Sequence, residues 1–201
     1  MRKNWAALAL TGMLCLTTFA GTQTVSAETA DSAKQVDIVF THDTHSHLNT
    51  FTTIVDEAEK EVGGFARINT LIQEQKAKNP DTLVIDGGDF SMGTLIQTVF
   101  ETQAAEIRML GYMGCDVTTL GNHEFDYRSK GLANMLNSAA ESGDDLPAMV
   151  VCNVDWESME AAGLSEGQQL IRDAFDEYGV SDYVVLEKGD TDIAVVGVFG
   201  K

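Results

Sequence analysis

Short apolar runs alternate along the chain with longer stretches in which apolar residues recur at helical spacing. The runs predict strands, and the periodic stretches predict helices. The predicted strands are residues 36–40, 82–85, 117–120 and 148–152. The predicted helices are residues 65–78, 94–113 (more than one helix) and 129–142. This alternation predicts an α/β fold built as a layered α-β-β-α sandwich.

The segments between these elements are more polar. Residues 48–61 form a polar, partly acidic connection, and residues 155–177 are acidic and predicted to be helical in parts. The helix over 65–78 is predicted to end at Asn79-Pro80. Its predicted core-facing residues are Phe65, Ile68, Leu71 and Ile72.

A hairpin is predicted at the end of the chain, over residues 183–187 and 193–199 around a Lys188-Gly189-Asp190 turn. Its second strand is as apolar as a central strand of a sheet. The chain stops two residues later, at Lys201. We therefore expect a domain whose C-terminal part is absent.

Residues 1–27 have the pattern of a secretory signal peptide, with Arg2-Lys3 before an apolar stretch and Val25-Ser26-Ala27 as the cleavage site. A membrane anchor is disfavoured because the apolar stretch is shorter than the ~20 residues that a span needs. A lipid anchor on Cys15 is disfavoured by the large Leu14 before it. We expect a mature chain of residues 28–201 that is periplasmic, cell-surface or extracellular, without stable membrane insertion.

The composition excludes some classes of partner. Asp and Glu number 31 against 13 Lys and Arg, giving a net charge of −18, so the chain should repel nucleic acid and anionic membranes. A hydrophobic content of 44 % argues against disorder. Cys115 and Cys152 are predicted to be buried thiols rather than a disulfide, and no CxxC pattern supports a cysteine zinc site.

Three polar clusters directly follow three of the predicted strands. They are Asp43-Thr44-His45, Gly88-Asp89 and Gly121-Asn122-His123-Glu124. Ligands of open α/β sheets bind outside the carboxyl ends of the strands, so the clusters are expected to converge on one crevice. Two carboxylates, an imidazole and an amide together favour a divalent metal over an organic cofactor.

The spacing within the first two clusters assigns candidate ligands. Asp43 and His45 are two residues apart, so on an extended strand end they point to the same side and can bind one ion. His47 shares this parity and is a candidate contact to the substrate or to the ligands, whereas His42 is expected to be a polar loop residue. In Asp86-Gly87-Gly88-Asp89, the glycines allow a sharp turn and a close approach to a ligand.

Asp86 and Asp89 compete for the role of a carboxylate that bridges two cations. We favour Asp89, because Asp86 ends its strand and can instead accept hydrogen bonds from the turn. An EF-hand is excluded because its Asp spacing is absent.

The third cluster supplies a neutral ligand and an acid–base group. Asn122 can bind a cation without adding negative charge, and the adjacent His123 is expected to point away from the metal. Asp126 is three residues beyond His123, within reach of the imidazole if the loop forms a helical turn. Such a carboxylate would fix the tautomer, raise the pKa of His123 and prepare the other ring nitrogen as a proton donor.

These motifs resemble the first three motifs of the calcineurin-like metallophosphoesterases. The segments 41–48 and 121–126 are similar more narrowly to the secreted bacterial 5′-nucleotidases, and the resemblance runs from about residue 36 to the end of the chain. It implies hydrolysis of phosphate monoesters, with nucleoside 5′-phosphates as substrates. It also implies two divalent ions (Zn, Mn, Co or similar) that activate a water molecule for in-line displacement.

The resemblance also implies roles for individual residues. Asp43 and His45 would bind the first ion, Asp89 would bridge, and Asn122 would bind the second ion. His123, supported by Asp126, would be the catalytic imidazole. In addition, Asn153 stands where the family commonly has an asparagine near the site.

The chain departs from the family pattern after Asp126. The family continues with a lone histidine and a Gly-His-x-His motif, whereas the four histidines here are His42, His45, His47 and His123. Three metal-ligand histidines and the nucleoside-binding domain are therefore missing, and we expect little turnover by this chain alone. The alternatives are an inactive metal- or nucleotide-binding remnant, and a 2′,3′-cyclic-nucleotide or nucleotide-sugar phosphoesterase of the same family.

Overall fold

A parallel sheet lies at the centre of the computed structural model, which describes residues 34–200. In chain order, the strands are β1 (Ile38–Thr41), β2 (Phe51–Val55), β3 (Ala58–Val62), β4 (Leu83–Asp86), β5 (Val117–Thr118), β6 (Ala148–Met149), β7 (Tyr183–Lys188) and β8 (Thr191–Val196). Strands β1, β4, β5 and β6 form the parallel sheet in the order β1-β4-β5-β6. All four strands predicted for this part of the chain are therefore present. The predicted signal peptide, residues 1–27, lies outside the described residues.

Helices connect the strands and cover the sheet. They are α1 (Phe65–Lys78), α2 (Phe100–Gln103), α3 (Ala105–Tyr112), α4 (Arg128–Ala140), α5 (Trp156–Ala162) and α6 (Glu166–Tyr178), with 3₁₀ turns at Leu95–Val99 and His123–Phe125. Helix α6 begins with a capping box, in which Ser165 and Gln168 each satisfy the other's backbone N–H. The core contains large buried side chains from β4, the loop after it, β6 and the helices, among them Phe65, Phe90, Phe100, Ile107, Leu132 and Met149. The fold is thus the predicted α/β class.

Helix α1 has the predicted bounds, but one of its predicted core residues is wrong. Phe65 and Ile72 are buried and Ile68 packs against the core, whereas Leu71 is 64 % exposed. Leu71 lines a surface groove beside β1. Since β1 is the edge strand of the sheet, nothing among the described residues covers this side of the helix.

The connection over 48–61 contains a hairpin that the sequence analysis did not predict. Strands β2 and β3 pair antiparallel around Asp56 and Glu57, both of which have positive φ. Most of their side chains are exposed. In neither strand do apolar and polar residues alternate, so the period-two signal is absent.

The predicted C-terminal hairpin is confirmed, as β7 pairs antiparallel with β8. Its second strand is expected to be a central strand of a sheet, but among the described residues it is not. There, β8 belongs to a two-stranded sheet, and its side chains alternate between half-buried and exposed.

The two cysteines of the described region are free, as predicted, but only one is buried. Cys115 lies in the core, and burial raises the pKa of its thiol to about 12. Cys152 is exposed, so its predicted burial is wrong. It follows the buried Val150 and Val151 at the point where the chain leaves the sheet, and its backbone N–H donates to Gly197. Among the described residues, no helix is long and apolar enough to cross a membrane.

Candidate metal and phosphate site

Backbone hydrogen bonds join the loop after β1 to the loop after β4. The N–H groups of Asp43 and His45 donate to the carbonyls of Gly88 and Asp89, each at 3.1 Å, and that of Ser46 donates to Phe90 at 2.9 Å. Because β1 and β4 are adjacent parallel strands, these two loops emerge side by side. The first two polar clusters therefore meet, as the strand-end argument predicts.

Three of the candidate metal ligands have left-handed backbone conformations. Asp43 has φ 51°, His45 has φ 44° and Asp89 has φ 52°. The prediction that Asp43, His45 and His47 share one side of an extended strand end is therefore wrong in its geometry, since β1 ends at Thr41 and a turn follows. Non-glycine residues in this region cost about 1–3 kcal/mol each and concentrate at functional sites.

Glycines allow the second and third clusters to touch. A Cβ atom on Gly88 would lie 2.6 Å from the backbone nitrogen of Gly121. A Cβ atom on Gly121 would lie 2.1 Å from Asp89 Oδ1. Both distances are shorter than any real contact, so only glycine permits this approach at either position.

Asp89 of the second cluster contacts Asn122 and His123 of the third. Asp89 Oδ1 accepts a hydrogen bond from the backbone N–H of His123 at 2.9 Å. With its amide nitrogen toward Asp89, Asn122 donates a hydrogen bond to Asp89 Oδ2 at 3.3 Å, and its amide oxygen accepts one from the backbone N–H of His123 at 3.3 Å. These hydrogen bonds hold the second and third clusters together.

His45 brings the first cluster against the third. Its ring packs edge-on against the ring of His123, with 4.9 Å between the centroids. Its Nδ1 lies 3.3 Å from the carbonyl oxygen of Ser91, which leaves Nε2 free to bind a ligand. The three clusters thus share one surface.

Asp43 has a partner that the sequence analysis did not assign. His42 Nδ1 lies 2.8 Å from Asp43 Oδ2, and this hydrogen bond lowers the pKa of Asp43. His42 is exposed, as expected for a polar loop residue. Its ring competes with a cation for the Asp43 carboxylate.

The donors fit a divalent cation only in part. The carboxylate, imidazole and amide groups of the three clusters are suitable metal ligands, and several of them lie on left-handed loops. However, within residues 34–200 no group of three or more His, Cys, Asp or Glu side chains is arranged to hold a metal ion. A cation at this surface would therefore depend on the amide of Asn122 as well as on the ionisable side chains.

The predicted contact between His123 and Asp126 is present. The 3₁₀ turn His123–Phe125 brings His123 Nδ1 to 2.9 Å from Asp126 Oδ2. This hydrogen bond raises the pKa of His123. Because Nδ1 is engaged by the carboxylate, Nε2 is the nitrogen that can donate a proton to a substrate.

Glu124 has a structural function that sequence reasoning missed. It is fully buried, and its carboxylate accepts four hydrogen bonds of 2.7–3.0 Å. The donors are the backbone N–H groups of Asp89, Ser91 and Gly121 and the hydroxyl of Ser91. The Glu124 side chain, from the third cluster, thus holds the backbone of the second cluster in place. Its only signal in the sequence is its position next to His123.

Asp86 lies beneath the site and accepts hydrogen bonds, as anticipated. Its Oδ1 accepts from Gly88 N and Thr118 Oγ1, and its Oδ2 accepts from Thr41 Oγ1 at 2.7 Å. The side chain is buried, and burial raises the pKa of Asp86 to about 6. With its oxygens occupied in this way, Asp86 ties three strand ends together.

The raised pKa of Asp86 predicts a pH-dependent stability. The folded state holds the proton between pH 3.8 and about 6, whereas the unfolded state releases it, so this contribution is lost as the pH rises through that window. In Asp86→Asn, the amide cannot ionise, and the Thr41 hydroxyl can turn to accept from it. We expect the stability of the variant relative to the parent to increase by up to about 3 kcal/mol from pH 4 to pH 7. Urea denaturation at several pH values measures this difference, and a constant difference would contradict it.

The other two residues predicted to contribute to the site, Asn153 and His47, lie at its margin. Asn153 is exposed and makes two hydrogen bonds with the backbone of Phe199, whose ring packs against Phe125 at 4.7 Å between centroids. His47 packs against the ring of Phe51 from the unpredicted hairpin. Its Nδ1 lies 3.2 Å from the carbonyl oxygen of Thr44.

Comparison with protein families decides the classification. The family model described as calcineurin-like phosphoesterase matches residues 36–195, which includes all three clusters. This chain belongs to the calcineurin-like phosphoesterase family. The predicted resemblance and the predicted sandwich class are thereby confirmed.

The chain is similar to several proteins named as nucleotidases. It is 30 % identical to a 5′-nucleotidase-related protein of Glossina morsitans morsitans over 187 residues, which are 89 % of this chain and 32 % of that protein. It is 34 % identical over 107 residues to a probable 5′-nucleotidase of Treponema pallidum, covering 51 % of this chain and 18 % of that protein.

A solved structure, the 5′-nucleotidase precursor of Thermus thermophilus, matches 82 % of this chain with a TM-score of 0.63 and 26 % identity. The match covers 28 % of that chain. The chain thus spans about a third or less of the length of these relatives.

Proposed function

We propose that this phosphoesterase hydrolyses phosphate monoesters, with nucleoside 5′-phosphates as its substrates. The observation that carries the proposal is the meeting of the three clusters, where the backbone N–H of His123 bonds Asp89 and the ring of His123 packs on His45. The nucleotidase names of the relatives support the choice of substrate.

Asp43, His45, Asp89 and Asn122 are the residues that would hold metal. In the proposal, Asp43 and His45 would hold one divalent ion, Asn122 would hold a second, and Asp89 would serve both. When bound, such ions supply a nucleophile from water and neutralise the phosphoryl oxygens. The candidate ions are Zn, Mn, Co or similar divalent metals.

His123 performs the proton transfer in this proposal. The Asp126 carboxylate accepts a hydrogen bond from Nδ1, which fixes the tautomer and leaves Nε2 as the proton donor. Protonated Nε2 stabilises the charge on the phosphoryl group and delivers its proton to the leaving oxygen of the ester. The raised pKa keeps this group protonated to higher pH.

A panel of substrates tests the proposal. AMP, 2′,3′-cyclic AMP and a nucleotide sugar are incubated with the chain and with Mn²⁺, Co²⁺ or Zn²⁺, and released phosphate or nucleoside is measured. We expect slow, metal-dependent hydrolysis of AMP, because the sequence lacks the three further metal-ligand histidines of the family pattern and therefore predicts little turnover by this chain alone. Faster hydrolysis of the cyclic nucleotide or of the nucleotide sugar would show that AMP is not the preferred substrate. Metal binding without any hydrolysis would instead favour the alternative of a non-catalytic metal- or nucleotide-binding protein.

We also propose that the protein is exported. The charged start, apolar stretch and small residues of positions 2–27 support export. Residues 28–201 would then be the mature chain, and mass spectrometry of the secreted or periplasmic product should give Glu28 as its N-terminus. An N-terminus at Met1 would contradict cleavage.

Asp89→Ala is expected to weaken Mn²⁺ binding by at least about tenfold, because it removes the carboxylate that would contact both ions. Isothermal titration calorimetry measures the Kd. Asp182→Ala is the matched control, since Asp182 is exposed and lies outside the three clusters. Equal Kd values for the two variants would show that Asp89 is not a ligand.

A further inference from the structure

Ser46 is the most restrained residue of the loop after β1. It is fully buried in a left-handed conformation, with φ 55°. Its N–H donates to Phe90, and its carbonyl accepts from Thr94 Oγ1 at 2.7 Å. Its hydroxyl donates to Glu106 Oε1 at 2.6 Å. Every polar group of Ser46 therefore has a partner, and the last of these partners is a carboxyl group on α3.

Glu106 is unusual because it places a carboxyl group in the buried interior beneath this loop. It lies in the first turn of α3 with no exposed surface. Oε1 binds Ser46, whereas Oε2 is buried and has no hydrogen-bond partner within the described chain. Burial raises the pKa of Glu106. A buried carboxyl group costs free energy that an apolar side chain of similar size would not.

The bond between Ser46 and Glu106 restrains the segment that carries His45. His45 is adjacent to Ser46, and both have positive φ. Positive φ is disfavoured for these residue types and persists only when surrounding contacts impose it. The hydroxyl bond is the contact that joins this segment to α3 through a side chain.

We propose that Glu106 is a positioning residue, which holds Ser46 in its left-handed conformation and thereby fixes the His45 imidazole for its ligand. The part that concerns metal rests on the proposed function. The part that concerns the loop does not, because it predicts the conformation of residues 45 and 46 in the metal-free chain.

Three variants test this proposal. Glu106→Met fills the same space without an acceptor, Glu106→Gln keeps an acceptor oxygen, and Ser46→Ala removes only the donor. Glu101→Met is the matched control, because Glu101 also accepts a side-chain hydrogen bond, from Asn134, but holds α4 rather than the loop. NMR hydrogen exchange of the Ser46 and His45 amides reports on the loop, and calorimetry gives the Kd for Mn²⁺.

We expect Glu106→Met and Ser46→Ala each to speed exchange at Ser46 and His45 and to raise the Mn²⁺ Kd about tenfold. The double variant should be no worse than either single one, because both remove the same bond. Glu106→Gln should restore both readouts, and Glu101→Met should change neither.

Several results would overturn the proposal. Additive effects in the double variant would do so, as would a Glu106→Gln variant no better than Glu106→Met, or normal exchange in Ser46→Ala. If the parent chain itself binds no Mn²⁺, the proposed metal site fails, and amide exchange alone decides the role of Glu106. Should Glu106→Met not fold, Ser46→Ala and Glu106→Gln still give opposite expectations.

Discussion

Replacing Glu124 with alanine is expected to lower the free energy of unfolding by about 4 kcal/mol. The substitution removes the fully buried acceptor of four hydrogen bonds and leaves three buried or partly buried backbone N–H groups without their partner. Each such group costs about 1–3 kcal/mol when unsatisfied, although water entering the space would offset part of this cost. The expected loss is a large share of the total stability of a domain of this size.

Urea denaturation followed by circular dichroism measures the effect of this substitution. Glu177→Ala is the control, because Glu177 is exposed on α6 and should change stability by less than about 0.5 kcal/mol. Glu124→Gln should fall between the two, since it keeps one acceptor oxygen but turns an NH₂ group toward backbone donors. A Glu124→Ala midpoint equal to that of Glu177→Ala would refute the anchoring role.

The anchoring by Glu124 illustrates what the sequence conveys and what it does not. Apolar runs place the ends of β1, β4 and β5, and the polar residues that follow are then candidates for one site. The sequence contains 31 acidic residues, and nothing in the pattern marks Glu106 and Glu124 as buried. Their burial depends on which backbone N–H and hydroxyl groups the folded loops leave without partners, which is a tertiary property.

The geometry of the ligand loop was unpredictable for a related reason. Period-two parity holds only while the backbone is extended. Asp43 and His45 leave that region because the loop must follow the Gly88-Asp89 turn beside it, to which both are hydrogen-bonded. The identity of the candidate ligands could thus be read from spacing, whereas the direction of each side chain could not.

Predictions of burial failed where the sheet has an edge. Leu71 fits a core position on α1, yet it lies beside the edge strand β1. Cys152 continues the apolar run of β6, yet it stands beyond the last pairing with β5. Hydrophobic periodicity specifies which side of an element can be buried, and the neighbouring elements decide whether it is.

Replacing His123 with alanine is expected to lower kcat by about 10²–10⁴ while leaving the Kd for Mn²⁺ within about twofold. The imidazole is held by Asp126 through Nδ1 and would act through Nε2, so its loss removes a proton donor rather than a ligand. Steady-state hydrolysis of AMP gives kcat, and calorimetry gives the Kd. Asp89→Ala is the comparison that distinguishes the two roles. In that variant the Kd for Mn²⁺ should rise, and kcat should fall because the metal is no longer bound.

Asp126→Asn tests the protonation of His123 while keeping its imidazole ring in place. The carboxylate raises the pKa of His123, so its removal should lower that pKa. The protonated donor is lost as the pH rises through the pKa, and the alkaline limb of the kcat profile should therefore move to lower pH in Asp126→Asn. Asp182→Asn should leave the profile unchanged, because Asp182 lies on the surface outside the site. An unshifted limb in Asp126→Asn would mean that His123 does not supply the proton, and loss of Mn²⁺ in His123→Ala would make His123 a metal ligand instead.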